Sequence, residues 1–448
     1  MKKLFLPILV MIILLSSCST FVDISEAQTT YYQGDYERAF NHLALNAPQI
    51  IKKQGEIVYY LDEGVVSHSA KKYNVSNISL AKAEKAIEAN FTKSISANIG
   101  SYLLNESVRD YNSSFYEDIY TSIFLSLNYY HLNDIEDAMV DVRRSFEKLQ
   151  LREQELPKLR AELETQLSDN NAKDIDSKLN AFDSSFYSSA LSYYLSSLFS
   201  FEYGDFDTFR ISRDKGITTY KLLDKYYKED YYQAFDTLKK VDKEKTIINF
   251  LAFSGLSPIK ATKIDRNVLV LDEYVDDDGV YHKPYYTNVV YTVPQKRGTS
   301  VNSIEIIMNN KKYYLQAFED LELIAYESLE QICSAEYVRA YVRAVSREIA
   351  KSAADSASNE ENSTMVKSSL FSDLFTLFSY VSEGSGDLRG SHFFPAMSWI
   401  GSFIVEPGEY DIVVNYLGSN NNILYQETFE NYQVKSNKAN LVEIISAK

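Results

Sequence analysis

The clearest hydrophobic pattern in the chain runs from Tyr116 to Leu149 and predicts two helices joined by a tight turn. Apolar residues recur at spacings of three and four on both sides of the polar stretch His131–Asp134, which places them on one helix face. Asn and Asp favour turns and helix starts. Because a helix pair cannot bury its apolar face alone, we expect neighbouring pairs to stack on it.

Three other segments repeat this design. Each has an aromatic or leucine residue before the turn, an Asp after it and a predicted helix beyond, and they are Tyr31–Leu43, Phe186–Tyr220 and Tyr226–Leu238. The turns resemble those of tetratricopeptide repeats (TPR), in which a small residue packs the second helix of a pair against the first. Ala39, Ala138 and Ala234 match that position, whereas Phe209 departs from it. Since the spacing is irregular, we predict a degenerate TPR-like helical domain over residues 31–245.

Two further stretches are predicted to be helical within this domain. Ile78–Ser101 is rich in the strong helix former alanine. Residues 149–182 are highly charged and carry leucines at helical spacing: Leu156, Leu159, Leu163 and Leu167. The charged stretch fits either a helical hairpin packed on the array or a coiled coil that binds a partner.

Near residue 246 the pattern changes from helical spacing to short alternating runs. Asp278-Gly279 and Asn309-Asn310 lie between apolar runs and predict hairpins, and the tail after Trp399 again predicts short strands. Residues 321–352 and 370–381 return to helical spacing. The predicted fold class is therefore α+β and multidomain, with the helical array followed by a domain over residues 246–448. That domain has antiparallel strands and two amphipathic helices.

The amino terminus has the pattern of a lipoprotein signal peptide. Lys2 and Lys3 precede the apolar run Leu4–Leu15, which is shorter than the roughly 20 residues that span a bilayer. Small residues then precede Cys18, as in the lipobox of bacterial lipoproteins. We predict a signal peptide over residues 1–17, lipidation of Cys18 and a lipidated tether over residues 18–30. The expected location is a bacterial membrane surface, most simply the outer membrane facing the periplasm.

Composition narrows the function classes. The formal charge of −16 argues against binding to nucleic acid or to anionic lipid, because phosphate groups would be repelled. A hydrophobic content of 45% is enough for packed cores. There are only two cysteines. With Cys18 assigned to lipid, Cys333 has no disulfide partner, so we expect stability to come from packing.

A family resemblance covers most of the chain after the lipobox. It rests on the order LSLNYYHLNDIEDAMVDVRRS, a charged insertion, SYYLSSLFSFEYGDFD, FSGLSPIK and EPGEYDIVVNY. In this order the chain resembles a family of bacterial cell-envelope lipoproteins with TPR-like amino-terminal halves and no established enzymatic activity. The resemblance implies an architecture and a location but no mechanism.

A search for catalytic chemistry finds no convincing constellation in the sequence. The five histidines show no metal-ligand spacing, so each is predicted to be a surface or turn residue. Gly384–Gly390 lacks the lysine of a phosphate-binding loop, and Cys333 is predicted to be a packed thiol. Asp276–Gly279 matches only part of a calcium loop and fits a solvated hairpin tip. We therefore predict no catalytic, cofactor or metal site and no enzymatic activity.

The leading hypothesis from the sequence is a scaffold that docks an envelope protein through its TPR-like half. In TPR proteins the first helix of each pair lines the concave groove, so the resemblance places partner contacts on that helix. Aromatic residues are favoured there because they dominate interface hot spots. The predicted contacts are Tyr120, Tyr130, Tyr194 and Phe201. Two alternatives are a ligand-binding lipoprotein with a pocket at the junction of the helical and β parts, and a cell-wall hydrolase.

Overall fold

The computed structural model describes residues 22–96, 111, 113–169, 173–183, 186–227, 233–240, 246–276, 279–358 and 386–448. The lipobox with Cys18 and the predicted helix at residues 370–381 lie outside the described residues. No described helix is both long enough and apolar enough to cross a membrane.

The described helices occupy the amino-terminal half, with one long helix in the second half. They are α1 (Ser25–Gln33), α2 (Tyr36–Gln54), α3 (Glu56–Ser69), α4 (Tyr73–Ser96), α5 (Phe115–His131), α6 (Ile135–Asp169), α7 (Ala190–Tyr203), α8 (Phe206–Leu222), α9 (Gln233–Lys239) and α10 (Leu321–Ser358). Two 3-10 helices cover Lys173–Asp183 and Asp224–Tyr226.

The described strands all follow the helical half. They are β1 (Thr246–Ser254), β2 (Ile259–Asp276), β3 (Gly279–Gln295), β4 (Ser303–Met308), β5 (Lys311–Ala317), β6 (Met397–Val405), β7 (Gly408–Leu417), β8 (Ile423–Val434) and β9 (Leu441–Ser446). This arrangement of helices followed by a strand-rich part confirms the predicted α+β class. The predicted hairpins correspond to β2–β3 and β4–β5.

Four helix-to-helix connections share one turn geometry. In each, one residue has a positive φ and the next amide donates to the carbonyl five residues back, over 2.8–2.9 Å. This is the helix-ending arrangement in which a left-handed residue lets the chain reverse. The left-handed residues are Gly34, Lys71, Asn133 and Gly204.

The sequence predicted three of these turns but not the one at Lys71, which joins α3 to α4. For the segment Tyr226–Leu238, the helix predicted beyond the turn is present as α9, and the turn itself lies outside the described residues. There the chain makes the short 3-10 helix, and Tyr227 pairs with Glu319 as an isolated β-bridge before the seven-residue α9. Tyr226 and Tyr227 are both buried in the core that the helices share with the sheet.

Seven strands form one sheet in the order β8-β7-β4-β5-β6-β1-β9, and β2–β3 form a separate hairpin. The pairs are antiparallel except β1 with β9, which run parallel. β1 is buried on both faces. Phe250 and Ala252 face a core within the sheet, whereas Leu251 and Phe253 face the helices.

The helical half and the sheet share one core, and Glu319 marks their junction. Its buried carboxylate accepts hydrogen bonds from Tyr120 Oη, Ser189 Oγ, Tyr227 Oη and the amide of Leu191. Burial raises the pKa of Glu319, although these hydrogen bonds act in the opposite direction. The change from helix to strand falls near residue 246 as expected, but apolar contacts cross it without interruption.

The charged segment packs within the chain. α6 continues through Pro157, and Leu156 and Leu163 contact a cluster that includes Val338 of α10 and Tyr291 of β3. Phe182 of the 3-10 helix joins the same cluster. For the described residues this packing favours the hairpin interpretation over the coiled coil, although the support is α10 and β3 rather than the helical array.

Candidate functional site

A cleft of about 260 Å³ opens where the helical half meets both edges of the sheet. The carboxyl-terminal ends of α3, α5 and α7 form one side, and β8 and β9 form the other. Because β8 and β9 are opposite edges of the sheet, the sheet must curl until these edges approach each other. The lining residues are Lys71, Tyr73, Tyr130, His131, Asn133, Glu202, Phe429, Tyr432, Leu441, Val442 and Glu443.

Two of the shared turns place the helical side of the cleft. Lys71 and Asn133 have φ values of 59° and 61°, so α3 and α5 both stop abruptly and the chain reverses. His68 and His131 consequently lie in the last turns of their helices. A positive charge is favoured there by the partial negative charge of the helix end.

Beneath the cleft, one carboxylate of β9 joins these two histidines. Glu443 Oε1 lies 2.8 Å from His68 Nε2, and Glu443 Oε2 lies 2.6 Å from His131 Nε2. The Glu443 and His68 side chains are only 3% and 2% exposed, whereas that of His131 is 18% exposed. Along the chain, His68 and His131 precede Glu443 by 375 and 312 positions. The cluster therefore ties two helix ends to one strand of the sheet.

The surrounding hydrogen bonds determine the protonation of His68. Ser76 Oγ donates to the carbonyl of Gly64 over 2.7 Å and accepts from Asn128 Nδ2 over 2.8 Å. Asn128 therefore turns Oδ1 toward His68 Nδ1, 2.7 Å away. Since Asn128 Oδ1 and the Glu443 carboxylate are both acceptors, His68 donates from both ring nitrogens and is an imidazolium cation.

The charges of this cluster shift the pKa values of its members. Burial opposes the charged form of Glu443, but the His68 charge and the hydrogen bonds from His131 and His68 lower its pKa to about 2. Burial likewise opposes the charged form of His68, yet the Glu443 carboxylate and the hydrogen bonds raise the pKa of this imidazole. The pair is thus held charged in the protein interior.

Aromatic rings form much of the cleft wall. The Tyr73 ring stacks on His131 at 4.5 Å and 11°, and the Tyr130 ring stacks on Phe199 at 5.3 Å. On the β8 side, Lys71 Nζ lies 5.4 Å from the centre of the Phe429 ring. Such faces offer apolar surface, while the tyrosine hydroxyls supply polar atoms.

Tyrosine hydroxyls also occupy the free edge of β9. The Leu441 amide donates to Tyr130 Oη over 2.9 Å, and Tyr36 Oη donates to the Ile445 carbonyl over 2.7 Å. In the parallel register with β1, these two backbone groups point away from the sheet. The helical half thus bonds two backbone groups of an edge that would otherwise be open to another strand.

The predicted partner contacts divide between the core and this cleft. Tyr120 and Tyr194 have no exposed surface, and their hydroxyls bond to Glu319 and to Ser402 of the sheet. Phe201 is 3% exposed and packs against other aromatic rings. The chain itself buries these three side chains, so they are not available as contacts for another protein. Tyr130 lies in the cleft.

Other predicted features have plain structural settings. Cys333 is buried, as expected, and burial raises its pKa to about 12, which makes the thiol unreactive. Within the described part of the chain, no group of three or more His, Cys, Asp or Glu side chains could hold a metal ion. The prediction that every histidine is a surface or turn residue is wrong for His68, because the ion pair with Glu443 stabilises it in the interior.

The sequence contained signals for this cluster that the hydrophobic pattern alone did not reveal. Glu443 is the one charged residue in the apolar run Leu441–Ile445, and a charge within a buried strand requires a partner. His68 and His131 each follow an apolar helical stretch and precede a reversal. Their pairing with Glu443 depends on the three-dimensional arrangement of distant segments.

The fold and site together define an α+β protein in which a curled sheet docks on a helical array and leaves a cleft at the junction. No family model, curated protein or solved structure matches this chain.

Proposed function

We propose that this chain is a non-enzymatic envelope lipoprotein that binds a small ligand in the helix–sheet cleft. The observation that carries the proposal is the 260 Å³ cleft itself, lined by aromatic rings and floored by the His68–Glu443–His131 cluster. Small-molecule sites are typically concave and mostly apolar, with a few placed polar groups. This cleft combines apolar rings with a comparable share of polar surface, and its volume lies just below the usual range of about 300 to 1,000 Å³.

The cluster is suited to supporting a site rather than to acid–base catalysis. Both oxygens of Glu443 are engaged, and its pKa of about 2 makes it a weak base. His68 donates from both nitrogens and has none left to accept a proton. The cluster therefore acts to hold His131 and the two helix ends in fixed positions beside β9.

A protein-docking groove along α5 and α7 has less support. The faces of these helices that would line such a groove contact the sheet, through Tyr120 and Tyr194 among others. A hydrolase would need a nucleophile or a free acid and base beside a cleft, and the paired groups described above do not supply them.

Ligand binding can be tested by ligand-observed NMR. The full chain, in a zwitterionic detergent without sugar groups, is screened against fragments that include neutral, cationic and anionic compounds. Phe429→Ala removes one wall of the cleft, and Tyr187→Ala serves as control because Tyr187 is 43% exposed and lies outside the cleft lining.

We expect at least one fragment whose binding weakens tenfold or more in Phe429→Ala and is unchanged in Tyr187→Ala. Circular dichroism verifies that both variants fold. If no fragment distinguishes the wild-type chain from Phe429→Ala, the cleft is not a binding site.

The proposed lipid anchor has a separate test. Metabolic labelling with a fatty-acid analogue should mark the wild-type chain, and Cys18→Ala should remain unlabelled and leave the membrane fraction. Labelling that persists in Cys18→Ala would refute lipidation at this residue.

A further inference from the structure

The charges around the cleft are paired with one another. Lys71 Nζ lies 2.7 Å from Glu427, Glu202 lies 2.9 Å from Lys438 Nζ, and Glu443 is paired with His68. An ionic ligand would have to compete with these pairs or remain without a counter-charge. This competition is costly at the Glu443 pair, whose carboxylate is 3% exposed, whereas the pairs of Lys71 and Lys438 have exposed lysines and are weak. The electrostatics of the cleft therefore favour an uncharged ligand.

Two bonded backbone groups of β9 argue against a peptide that adds to that edge as a strand. Strand addition needs free amide and carbonyl groups at a sheet edge. At β9 the outward amide of Leu441 and the outward carbonyl of Ile445 are already bonded to Tyr130 and Tyr36. A peptide would have to displace both hydroxyls before it could pair.

Apart from the paired charges, the cleft lining consists largely of aromatic rings with polar atoms beside them. Within the described part of the chain, His131 Nδ1 and the hydroxyls of Tyr73 and Tyr432 have no hydrogen-bond partner. Because Nε2 of His131 is bonded to Glu443, Nδ1 is the ring nitrogen left to form a hydrogen bond with a ligand. A ligand that fits this set needs an apolar face and several hydroxyl groups.

We infer that the ligand is an uncharged sugar ring, an inference that rests on the proposed binding function of the cleft. The C–H face of a sugar ring packs on aromatic rings such as Phe429 and Tyr432. Its hydroxyls, which can both donate and accept, form hydrogen bonds with His131 Nδ1, Tyr73 and Tyr432. The cleft volume of about 260 Å³ suits a single ring better than an extended oligosaccharide.

The test uses the methyl glycosides of glucose, galactose, mannose and N-acetylglucosamine as neutral probes. Glucuronic acid and glucosamine are the matched anionic and cationic probes. Binding to the full chain is measured by saturation-transfer NMR in the same sugar-free detergent. We expect at least one neutral probe to bind at least tenfold more tightly than either charged probe.

The variants separate ring packing from hydrogen bonding. Phe429→Ala should weaken the bound sugar tenfold or more. Tyr73→Phe and Tyr432→Phe keep their rings and should each weaken it roughly fivefold, the effect of about one lost hydrogen bond. Tyr187→Ala should bind as the wild-type chain does. Melting temperatures show whether a variant has lost its fold, and the Tyr→Phe variants remain informative if Phe429→Ala does not fold.

The possible results distinguish this inference from the proposed function. If no neutral sugar binds, but a fragment of another class binds and is lost in Phe429→Ala, the sugar assignment is overturned and the binding function stands. Equal binding of glucuronic acid or glucosamine also overturns the sugar assignment. If no compound of any class distinguishes wild type from Phe429→Ala, both proposals fail.

Discussion

Glu443 shows how one side chain can determine the arrangement of a whole interface. An isolated carboxylate in a buried strand would be strongly unfavourable, and it is stable here because an imidazolium cation and a second imidazole meet it. Removing its charge would leave the His68 cation buried without compensation. The cluster is therefore the point where a single-atom change should have the largest effect.

We predict that Glu443→Gln lowers the free energy of unfolding by about 3 kcal/mol, the typical effect of breaking a buried ion pair. Glu427→Gln is the matched control, because its partner Lys71 is 60% exposed, and it should change stability by less than about 1 kcal/mol. Urea denaturation of both variants measures the difference. Equal losses in the two variants would show that the buried cluster has no special role.

The same cluster should make stability depend on pH in a defined window. The pKa of Glu443 is lowered from 4.5 to about 2, so its contribution is present above pH 4.5 and lost as pH falls toward 2. The pKa of His68 is raised from 6.5, so its contribution is fully present below pH 6.5 and lost as pH rises through the folded value.

The stabilisation by this pair should therefore be greatest between about pH 4.5 and 6.5. The measurement is the difference in unfolding free energy between the wild-type chain and Glu443→Gln across pH 3 to 9. A difference that stays constant over this range would contradict the assigned protonation states.

At the scale of elements, the repeated left-handed turn is the main device of the helical half. Gly204 has a φ of 88°, and a Cβ added there would meet no atom within 4 Å. An alanine at this position would therefore be strained only through its backbone. The turn thus offers a test of conformational preference without a change in packing.

We predict that Gly204→Ala destabilises the chain by about 1 kcal/mol, the lower end of the range for an L-residue forced into the left-handed region. Gly390→Ala is the control, since its φ is not in that region and its nearest atom, Tyr111 Oη, is 3.9 Å away. Thermal denaturation of both variants provides the measurement. A neutral Gly204→Ala would indicate that the turn can relax.

The turns also show what local sequence could and could not predict. Gly34-Asp35, Asn133-Asp134 and Gly204-Asp205 have residues that favour reversal by themselves, and all three were predicted. The Lys71 turn has no such residue. We therefore attribute this reversal to the packing of α3 against α4. The tyrosine-rich stretch at Tyr226 begins at the end of a 3-10 helix with the Tyr226 ring buried, and the helix predicted beyond its turn is present.

At the scale of the whole molecule, the α+β class and the change near residue 246 followed from the sequence. The sequence did not predict that the sheet packs on the first helix of each pair. An apolar stripe has the same sequence pattern whether it packs against another chain or against its own. Tyr120 and Tyr194 were assigned to a partner for that reason. The cleft likewise depends on contacts between residues hundreds of positions apart.

Because both halves share one core, we predict a single cooperative unfolding transition. Trp399 is the one tryptophan of the chain and lies in β6, so its fluorescence reports on the sheet, while far-ultraviolet circular dichroism reports mainly on the helices. The two midpoints should coincide in the wild-type chain. Two separated transitions would mean that the halves fold independently.

Glu319→Ala should lower both midpoints together, because it leaves buried donors without their acceptor. The expected loss in the free energy of unfolding is roughly 2 to 3 kcal/mol. Glu406→Ala is the control, since Glu406 is exposed, and it should leave both unchanged. A shift of the fluorescence midpoint alone would argue against a shared core.

The position of β9 in the chain has a consequence for biosynthesis. His68 and His131 are synthesised 375 and 312 residues before the carboxylate that neutralises them, and β1 likewise waits for its parallel neighbour. Contacts of such long sequence separation form slowly. Until β9 is present, the ends of α3 and α5 lack the carboxylate that pairs with His68 and His131. A chain truncated before β9 should therefore lose both this carboxylate and the parallel partner of β1, although every described helix precedes that strand.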